Sequence, residues 1–180
     1  PVLITVARLE ERKGHMSVIS ILPRLLAEFP RLLYVIAGNG DCLAILKTAV
    51  ADTGMQSHVL FAGTVQDPEK TAWLRSSTLF IMPGRQIGQD VEGFGLAYLE
   101  AALQGLPAIA CNSGGAPEAV LHRQTGLVCR PDDLEDLAQA TLELLRNRPY
   151  LSQLGASAQA RASTFLWKTK YTEYLRLLRS

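Results

Sequence analysis

The chain has 180 residues, of which 48% are hydrophobic and 19% charged, a composition typical of a folded globular domain and not of a disordered one. Its 18 Lys and Arg residues against 17 Asp and Glu residues leave a net charge of +1, which argues against a strongly basic nucleic-acid-binding protein. No apolar run reaches the roughly 18 residues of a membrane-spanning helix, and the cysteines (Cys42, Cys111 and Cys129) lack C-x-x-C spacing, so we expect free thiols in a cytosolic protein.

Short apolar runs alternate with longer segments of helical periodicity along the whole chain. The runs are continuous rather than alternating, as expected for strands of a parallel sheet that is buried on both faces. They cover residues 2–7, 32–37, 59–62, 78–82, 107–110 and 126–129. The helical segments are 15–29, 41–53, 67–76, 94–105, 116–122 and 133–148, followed by 150–164 and 166–179. This order predicts a doubly wound, Rossmann-like α/β domain of about six strands, with terminal helices over residues 150–180.

Capping residues mark several of the predicted helix ends. Asp41, Asp67 and Asp132 stand where an N-cap is expected, and Gly54 and Gly105 stand where a helix would end. The last predicted helix is amphipathic, with apolar and aromatic residues on one side: Tyr171, Tyr174, Leu175 and Leu178. Such a helix packs on its own domain or docks on a domain that is missing from this chain.

The loop after the first strand carries two cations. Arg8 ends the strand, and Lys13-Gly14 directly precedes a predicted helix. Ligands of doubly wound sheets bind at the carboxyl ends of the strands, and a guanidinium and an ammonium beside a helix N-terminus suit a diphosphate. The spacing is not that of a Walker loop. A solvated charged turn is the alternative interpretation.

The loop after the second strand, Gly38-Asn39-Gly40, imitates the start of a dinucleotide-binding fingerprint. Leu43 stands where the third glycine belongs, and no acidic residue ends a neighbouring strand to hold a ribose. A nicotinamide cofactor is therefore disfavoured, and a tight turn that lets a backbone approach a ligand is the preferred interpretation.

The segment from Asp90 to Glu100 is the most informative one. Gly93-Phe94-Gly95 opens an apolar helix and can present backbone amides to an anion. Glu92 and Glu100 are eight residues apart, which in a helix corresponds to a rise of ~12 Å on roughly the same side. Carboxylates placed in this way could hold hydroxyls at the two ends of a nucleotide-sugar. Asp90-x-Glu92 also invites a metal interpretation, but no third ligand lies nearby in the sequence.

Glycines and histidines complete the candidate residues. Gly114-Gly115 leaves room for a ligand or forms a structural turn, and Pro117 fits the first turn of a helix. The histidines share no metal-ligand spacing and are expected to be surface or capping residues: His15, His58 and His122.

The chain resembles the retaining glycosyltransferases of family four in a set of motifs that occur in the same order. They are Arg8, Lys13-Gly14, Glu92-Gly-Phe-Gly, Glu100 and Ser113-Gly-Gly-x-Pro-Glu118. The likeness extends over essentially all 180 residues. It corresponds to the C-terminal, donor-binding domain of the GT-B fold, in which two Rossmann-like domains face a cleft.

The resemblance implies a role for each matching residue. Arg8 and Lys13 would bind the donor diphosphate and stabilise the leaving group, and they form the catalytic set together with Glu92. The transferred sugar would be held by Glu92 and the amides of Gly93, Phe94 and Gly95. Leu96 would offer its amide to a phosphate, and Glu100 would bind the ribose hydroxyls. Backbone groups of Gly38 and of Gly63-Thr64-Val65 would flank the base.

The same resemblance implies the reaction. The sugar is transferred with retained anomeric configuration, without a metal, a cofactor or a covalent protein nucleophile. The loop 84–91 is longer than the usual connection of the family and is similar to that of mannosyltransferases that act on phosphatidylinositol mannosides with GDP-mannose. A UDP-sugar stays open as the donor. The implied acceptor is a sugar or a glycolipid, with the full-length enzyme in the cytoplasm or at the inner face of the membrane.

Pro1 stands directly before an apolar run, so we expect the chain to be part of a longer protein. The missing N-terminal domain would carry acceptor specificity and the active-site histidine of the family, and Phe165-x-Trp167 resembles the point at which the last helix crosses back to it. We therefore expect the fragment to bind the donor weakly and not to turn over alone. A non-catalytic nucleotide-binding interaction domain and a nicotinamide-dependent dehydrogenase are the alternatives, and no nucleic-acid partner is expected.

Overall fold

The computed structural model describes residues 1–167 and 171, and it contains a six-stranded sheet in which all paired strands are parallel. The strands are β1 (Val2–Val6), β2 (Leu33–Ala37), β3 (Val59–Gly63), β4 (Leu79–Met82), β5 (Ala108–Cys111) and β6 (Gly126–Cys129). Their order is β3-β2-β1-β4-β5-β6, so the chain reverses direction across the sheet between β1 and β4. The predicted Rossmann-like fold is confirmed, and this switch point is where such sheets bind ligands.

Helices connect the strands and cover both faces of the sheet. They are α1 (His15–Glu28), α2 (Leu43–Asp52), α3 (Glu69–Ser76), α4 (Leu96–Leu103), α5 (Ala116–Ala119), α6 (Leu134–Arg146) and α7 (Arg148–Ser163). Helix α4 is shorter than the predicted 94–105, because Gly95 adopts a left-handed conformation with φ of 77° and ends the preceding loop. Helix α5 also stops earlier than predicted. The last predicted helix, 166–179, lies for the most part outside the described residues.

The core consists of two apolar clusters, one on each face of the sheet. Leu3 of β1 belongs to the cluster with α1, α2 and α6, whereas the next residue, Ile4, belongs to the cluster with α3, α4, α5 and α7. Successive strand residues point to opposite faces, and both are fully buried here. Burial on both faces explains why the strands are continuous apolar runs.

Two of the predicted helix ends are confirmed, whereas the three predicted N-caps are wrong. Gly54 and Gly105 follow the ends of α2 and α4 in left-handed conformations, with φ of 68° and 74°. The residues preceding α2, α3 and α6 are instead Cys42, Pro68 and Asp133, and not Asp41, Asp67 and Asp132. Of these three helices, only α6 has a side-chain cap: the Asp133 carboxylate accepts a hydrogen bond from the Asp136 amide at 2.9 Å.

Asp132 is not the cap because it has a positive φ of 58° and its carboxylate bonds to Arg85 at 2.8 Å. We expect Asp133→Ala to lower the free energy of unfolding by about 1 kcal/mol, since the Asp136 amide loses its acceptor. Asp41→Ala is the matched control and is expected to change stability by less than about 0.5 kcal/mol. Urea unfolding checks both variants, and equal losses in the two would contradict the assignment.

Candidate active site at the switch point

The carboxyl ends of β1 and β4 bring together two candidate residues from distant parts of the chain. The Lys13 ammonium lies 2.5 Å from Oε2 of Glu92. Lys13 ends a 3-10 turn (Glu11–Lys13) in the β1–α1 loop, and Gly14 follows it with φ of 76°. A Cβ on Gly14 would lie 2.2 Å from the Pro83 carbonyl oxygen, so glycine lets this loop pack directly against the loop after β4.

A third residue of this cluster, Arg12, was not predicted from the sequence. Its Nη1 lies 3.3 Å from the same Oε2 of Glu92. The side chains of Arg12, Lys13 and Glu92 are all largely buried, with exposed fractions of 16%, 11% and 15%. Two cations therefore converge on one carboxylate in a site shielded from solvent. No sequence pattern shows which side chains of the charged run Glu10-Glu11-Arg12-Lys13 point into the cluster.

Arg8 lies at the edge of this cluster and does not contact Glu92. Its side chain is 73% exposed and bonds to Glu10 at 2.8 Å, rather than to Glu92. Glu10 also accepts from Nε of Arg12 at 3.0 Å, so Glu10 links Arg8 to the buried cluster. Arg8, Glu10 and Arg12 line a cavity of about 440 Å³ together with residues of the loop 84–91. The cluster carries three cations and two carboxylates, and the cavity is lined by two further carboxylates, Glu11 and Asp90.

The segment 93–96 places an open backbone next to the cluster. A Cβ on Gly93 would meet no atom within 4 Å, and Leu96, the first residue of α4, is 69% exposed. Phe94 is half-buried and its ring lies 5.6 Å from that of Phe165. The N-terminus of α4 is therefore accessible to an anion. Because α4 begins at Leu96, Glu92 lies in the loop, and the helical rise predicted between Glu92 and Glu100 does not apply.

Gly114 and Gly115 support this segment. Gly115 donates its amide to the Glu92 carbonyl at 3.0 Å. A Cβ would lie 1.8 Å from the Gly93 oxygen if placed on Gly115, and 2.3 Å from the Glu92 oxygen if placed on Gly114. The two glycines thus make room for protein backbone, which favours the structural turn over the ligand-binding interpretation.

Glu100 lies in α4 and pairs with a lysine of α3. Nζ of Lys70 lies 2.8 Å from Oε1 of Glu100, and this hydrogen bond raises the pKa of Lys70. The Glu100 side chain is 42% exposed, so it is accessible to a ligand from solvent. Lys70 was not predicted from the sequence, because a single lysine in a helix carries no signal of its partner.

The residues expected to flank a base lie side by side. The Gly38 amide donates to the Gly63 carbonyl at 2.7 Å and joins the loops after β2 and β3. A Cβ on Gly38 would lie 1.8 Å from the Ala7 carbonyl oxygen. Glycine at this position therefore lets the loop after β2 pack against the end of β1, and not against a ligand. Gly63 is open, with φ of 70°, and is followed by an exposed Thr64 and a half-buried Val65.

The prediction that His15 is a surface or capping residue is wrong. His15 is 2% exposed, and both ring nitrogens are buried. Burial and then the charge of Lys13 lower its pKa to about 4, although a hydrogen bond with the Glu10 backbone acts in the opposite direction. The other two histidines are bonded: Nδ1 of His58 lies 3.0 Å from the Leu32 carbonyl, and Nδ1 of His122 accepts from the Val128 amide.

Since the pKa of His15 is lower in the folded chain than in the unfolded one, the unfolded chain takes up its proton first as the pH falls. We therefore expect the wild type to lose about 2 kcal/mol of stability through His15 between pH 7.5 and pH 5. His15→Phe removes this contribution, so the difference in unfolding free energy between the two proteins should change by that amount. Urea unfolding at both pH values measures it, and a difference independent of pH would contradict the prediction.

Other features bear on the predicted cofactors and surroundings. Within residues 1–167 and 171, no group of three or more His, Cys, Asp or Glu side chains is arranged to hold a metal ion. Metal independence stays a prediction. The cysteines are free, as predicted. Over the same residues, no helix has the length and apolarity needed to cross a bilayer.

Comparison with known proteins places this geometry in a family. A family model described as "Glycosyl transferases group 1" matches residues 1–161. A GDP-mannose-dependent alpha-(1-6)-phosphatidylinositol monomannoside mannosyltransferase of Mycobacterium tuberculosis is 36% identical over 182 residues, which cover 98% of this chain and 47% of that protein. The corresponding mannosyltransferase of Mycolicibacterium smegmatis is 34% identical, with 99% of this chain and 47% of that protein covered. The chain thus spans about half the length of these relatives.

Solved structures share the fold. HepE of Anabaena, crystallised with UDP and glucose, superposes with a TM-score of 0.86 at 23% identity, covering 99% of this chain and 48% of that one. The C-terminal domain of the group 1 glycosyl transferase LpcC from Francisella tularensis superposes with a TM-score of 0.79 at 21% identity, covering 91% and 84%. The dehydrogenase alternative is set aside by the family match. Because that match spans most of the chain, and relatives of the same type are more than a third identical to it, the chain belongs to the glycosyl transferases of group 1.

Proposed function

We propose that this chain is the donor-binding domain of a hexosyltransferase that transfers a sugar from a nucleotide-diphosphate-sugar with retention of configuration and without a metal. The observation that carries the proposal is the convergence of Lys13 and Arg12 on Glu92, directly before the open backbone of Gly93 and the exposed N-terminus of α4.

The diphosphate is the ligand part that this geometry suits best. Negative charge grows on the leaving diphosphate as the glycosidic bond breaks, and fixed cations in a shielded site stabilise it. Lys13 and Arg12 are held in place by Glu92, and Glu10 holds Arg8 and Arg12 at the adjoining cavity. The free amides at the start of α4 supply further donors at a positive helix end. Lys13 and Arg8 thus serve as the cations of the reaction, with Arg12 as an additional one.

The carboxylates lie where sugar hydroxyls can be bound. Glu92, with the amides of Gly93, Phe94 and Gly95, holds the transferred sugar, and the Leu96 amide contacts a phosphate. Glu100 keeps one oxygen on Lys70 and accepts from the ribose hydroxyls with the other. Gly38 and Gly63-Thr64-Val65 flank the base.

GDP-mannose is the proposed donor, supported by the names of the mannosyltransferases that are more than a third identical to this chain. A UDP-sugar is the alternative, because the structurally similar HepE binds UDP. Since the chain spans about half of its relatives, a second domain supplies the acceptor site for a sugar or glycolipid. The full-length enzyme works in the cytoplasm, at the inner face of the membrane if its acceptor is a lipid, and the chain alone does not turn over.

Calorimetry with GDP-mannose, UDP-glucose and ADP-glucose tests the donor. We expect GDP-mannose to bind most tightly, and Arg8→Ala to weaken it about three- to tenfold, because an exposed charge–phosphate contact contributes modestly. Arg31→Ala is the matched control: Arg31 is exposed and precedes β2, at the opposite end of the sheet. A folded chain that binds none of the three would favour the non-catalytic interaction domain, and unchanged binding by Arg8→Ala would remove Arg8 from the site.

A further inference from the structure

Arg85 connects two loops at the carboxyl ends of the strands. It lies in the loop after β4, and its Nη2 contacts Oε1 of Glu11 in the β1–α1 loop at 2.6 Å. Its Nη1 contacts Oδ1 of Asp132, in the loop after β6, at 2.8 Å. The Arg85 side chain is 28% exposed, whereas those of Glu11 and Asp132 are 67% and 64% exposed. A largely buried guanidinium therefore links two surface carboxylates that belong to different loops.

The same residue holds the short turn that carries two cations of the proposed donor site. This turn is Glu11–Lys13, which precedes α1. The Arg85 amide donates a hydrogen bond to the Arg12 carbonyl at 2.8 Å, and the Arg85 guanidinium binds the Glu11 carboxylate. One residue thus fixes two of the three residues of the turn. Glu92 fixes the turn from its buried side, where it contacts both cations.

Arg85 is not placed to contact the donor directly. The residues of its loop that line the cavity at the proposed donor site are Ile87, Asp90 and Val91. Its guanidinium is neutralised by two carboxylates, and ion pairs with exposed carboxylates contribute little to the stability of a fold. The contacts of Arg85 therefore act on the turn, and not on a ligand. A charged side chain that is ordered before its ligand arrives loses less conformational entropy on binding.

We propose, on the basis of the function proposed above, that Arg85 is a positioning residue for the donor diphosphate. It keeps the turn Glu11–Lys13 ordered, so that the two cations of the turn are in place before the donor binds. Glu11 transmits the effect, because it belongs to the turn and accepts from Nη2 of Arg85. Asp132 holds the guanidinium through its other terminal nitrogen.

Calorimetry with the donor that the wild type binds best tests this role. We expect Arg85→Ala to weaken donor binding about five- to tenfold, the cost of ordering one or two long side chains on binding. Arg85→Lys keeps the charge without the two-pronged contact, so its affinity should lie between those of the wild type and Arg85→Ala. Arg24→Ala is the matched control and should bind as the wild type, because it removes an exposed ion pair to Glu135 between α1 and α6.

Glu11→Ala separates ordering of the turn from simple neutralisation of a carboxylate. Glu11 lines the cavity at the proposed donor site, so its carboxylate would repel the diphosphate if Arg85 were removed. If neutralisation were the whole role, Glu11→Ala would bind the donor at least as tightly as the wild type and would restore binding to Arg85→Ala. We instead expect Glu11→Ala to weaken binding about as much as Arg85→Ala does, and the double variant to bind no more weakly, because all three lack the same link.

NMR relaxation of the donor-free chain measures the turn directly. The backbone order parameters of residues 12–14 are expected to fall from about 0.85, typical of rigid backbone, towards about 0.6 in Arg85→Ala and in Glu11→Ala. Arg24→Ala should leave them unchanged. A wild type that binds no nucleotide-sugar would refute the proposed function, whereas the order parameters would still decide whether Arg85 orders the turn. Unchanged order parameters, unchanged donor affinity in Arg85→Ala, or restored binding in the double variant would overturn the positioning role.

Discussion

Lys13→Ala is expected to weaken binding of the nucleotide-diphosphate-sugar about 100-fold, more than the loss of the Arg8 side chain. The Lys13 side chain is only 11% exposed, whereas the Arg8 side chain is 73% exposed, so the ammonium acts in a less screened environment. A buried, charge-assisted contact with a phosphate contributes about 1.5–3 kcal/mol, which corresponds to this change. Calorimetry with the donor found best for the wild type measures it.

The matched control is Lys47→Ala, since Lys47 is an exposed lysine on α2. It should bind the donor as the wild type does. We expect Lys13→Ala to fold, because Glu92 keeps Arg12 as its cation when the ammonium is removed. Circular dichroism checks that the variant is folded. Wild-type affinity in a folded Lys13→Ala chain would show that this lysine serves only to neutralise Glu92.

Gly115→Ala is expected to lower the free energy of unfolding by about 3 kcal/mol and to abolish donor binding. The added methyl group would lie 1.8 Å from the Gly93 oxygen, a backbone atom that cannot move aside as a flexible side chain can. Either the loop after β4 or the loop after β5 has to shift, and such overpacking costs about 1–3 kcal/mol or more. The shift also displaces Glu92, whose carbonyl accepts from the Gly115 amide. Urea unfolding and calorimetry measure the two effects.

Gly93→Ala provides the contrast. A Cβ on Gly93 has no atom within 4 Å, so stability should change by less than about 0.5 kcal/mol, whereas donor binding should fall because the methyl group enters the proposed sugar site. Equal stability of the two alanine variants would refute the supporting role of Gly115. Full donor binding by Gly93→Ala would refute the placement of the sugar.

The sequence by itself was sufficient to predict the fold and the family. Strands such as Val2–Val6 and Leu79–Met82 are apolar throughout because they are covered on both faces, and this local property is visible in any short window. Gly54 and Gly105 marked helix ends for an equally local reason, since a left-handed backbone favours glycine. Lys13 and Glu92 were recognised from their spacing within a family motif and lie in contact in the structure.

Only the tertiary structure decided which side chains share a site. Arg12 and Glu92 are 80 positions apart, and the contact of Arg12 rather than Arg8 with Glu92 depends on which way a loop turns at the end of β1. His15 looked like a surface residue because nothing next to it in the sequence shows that helices packed from elsewhere bury it. Residue type and hydrophobic periodicity reflect local burial and backbone conformation. The contact partner of a side chain is instead decided by how elements far apart in the sequence pack against one another.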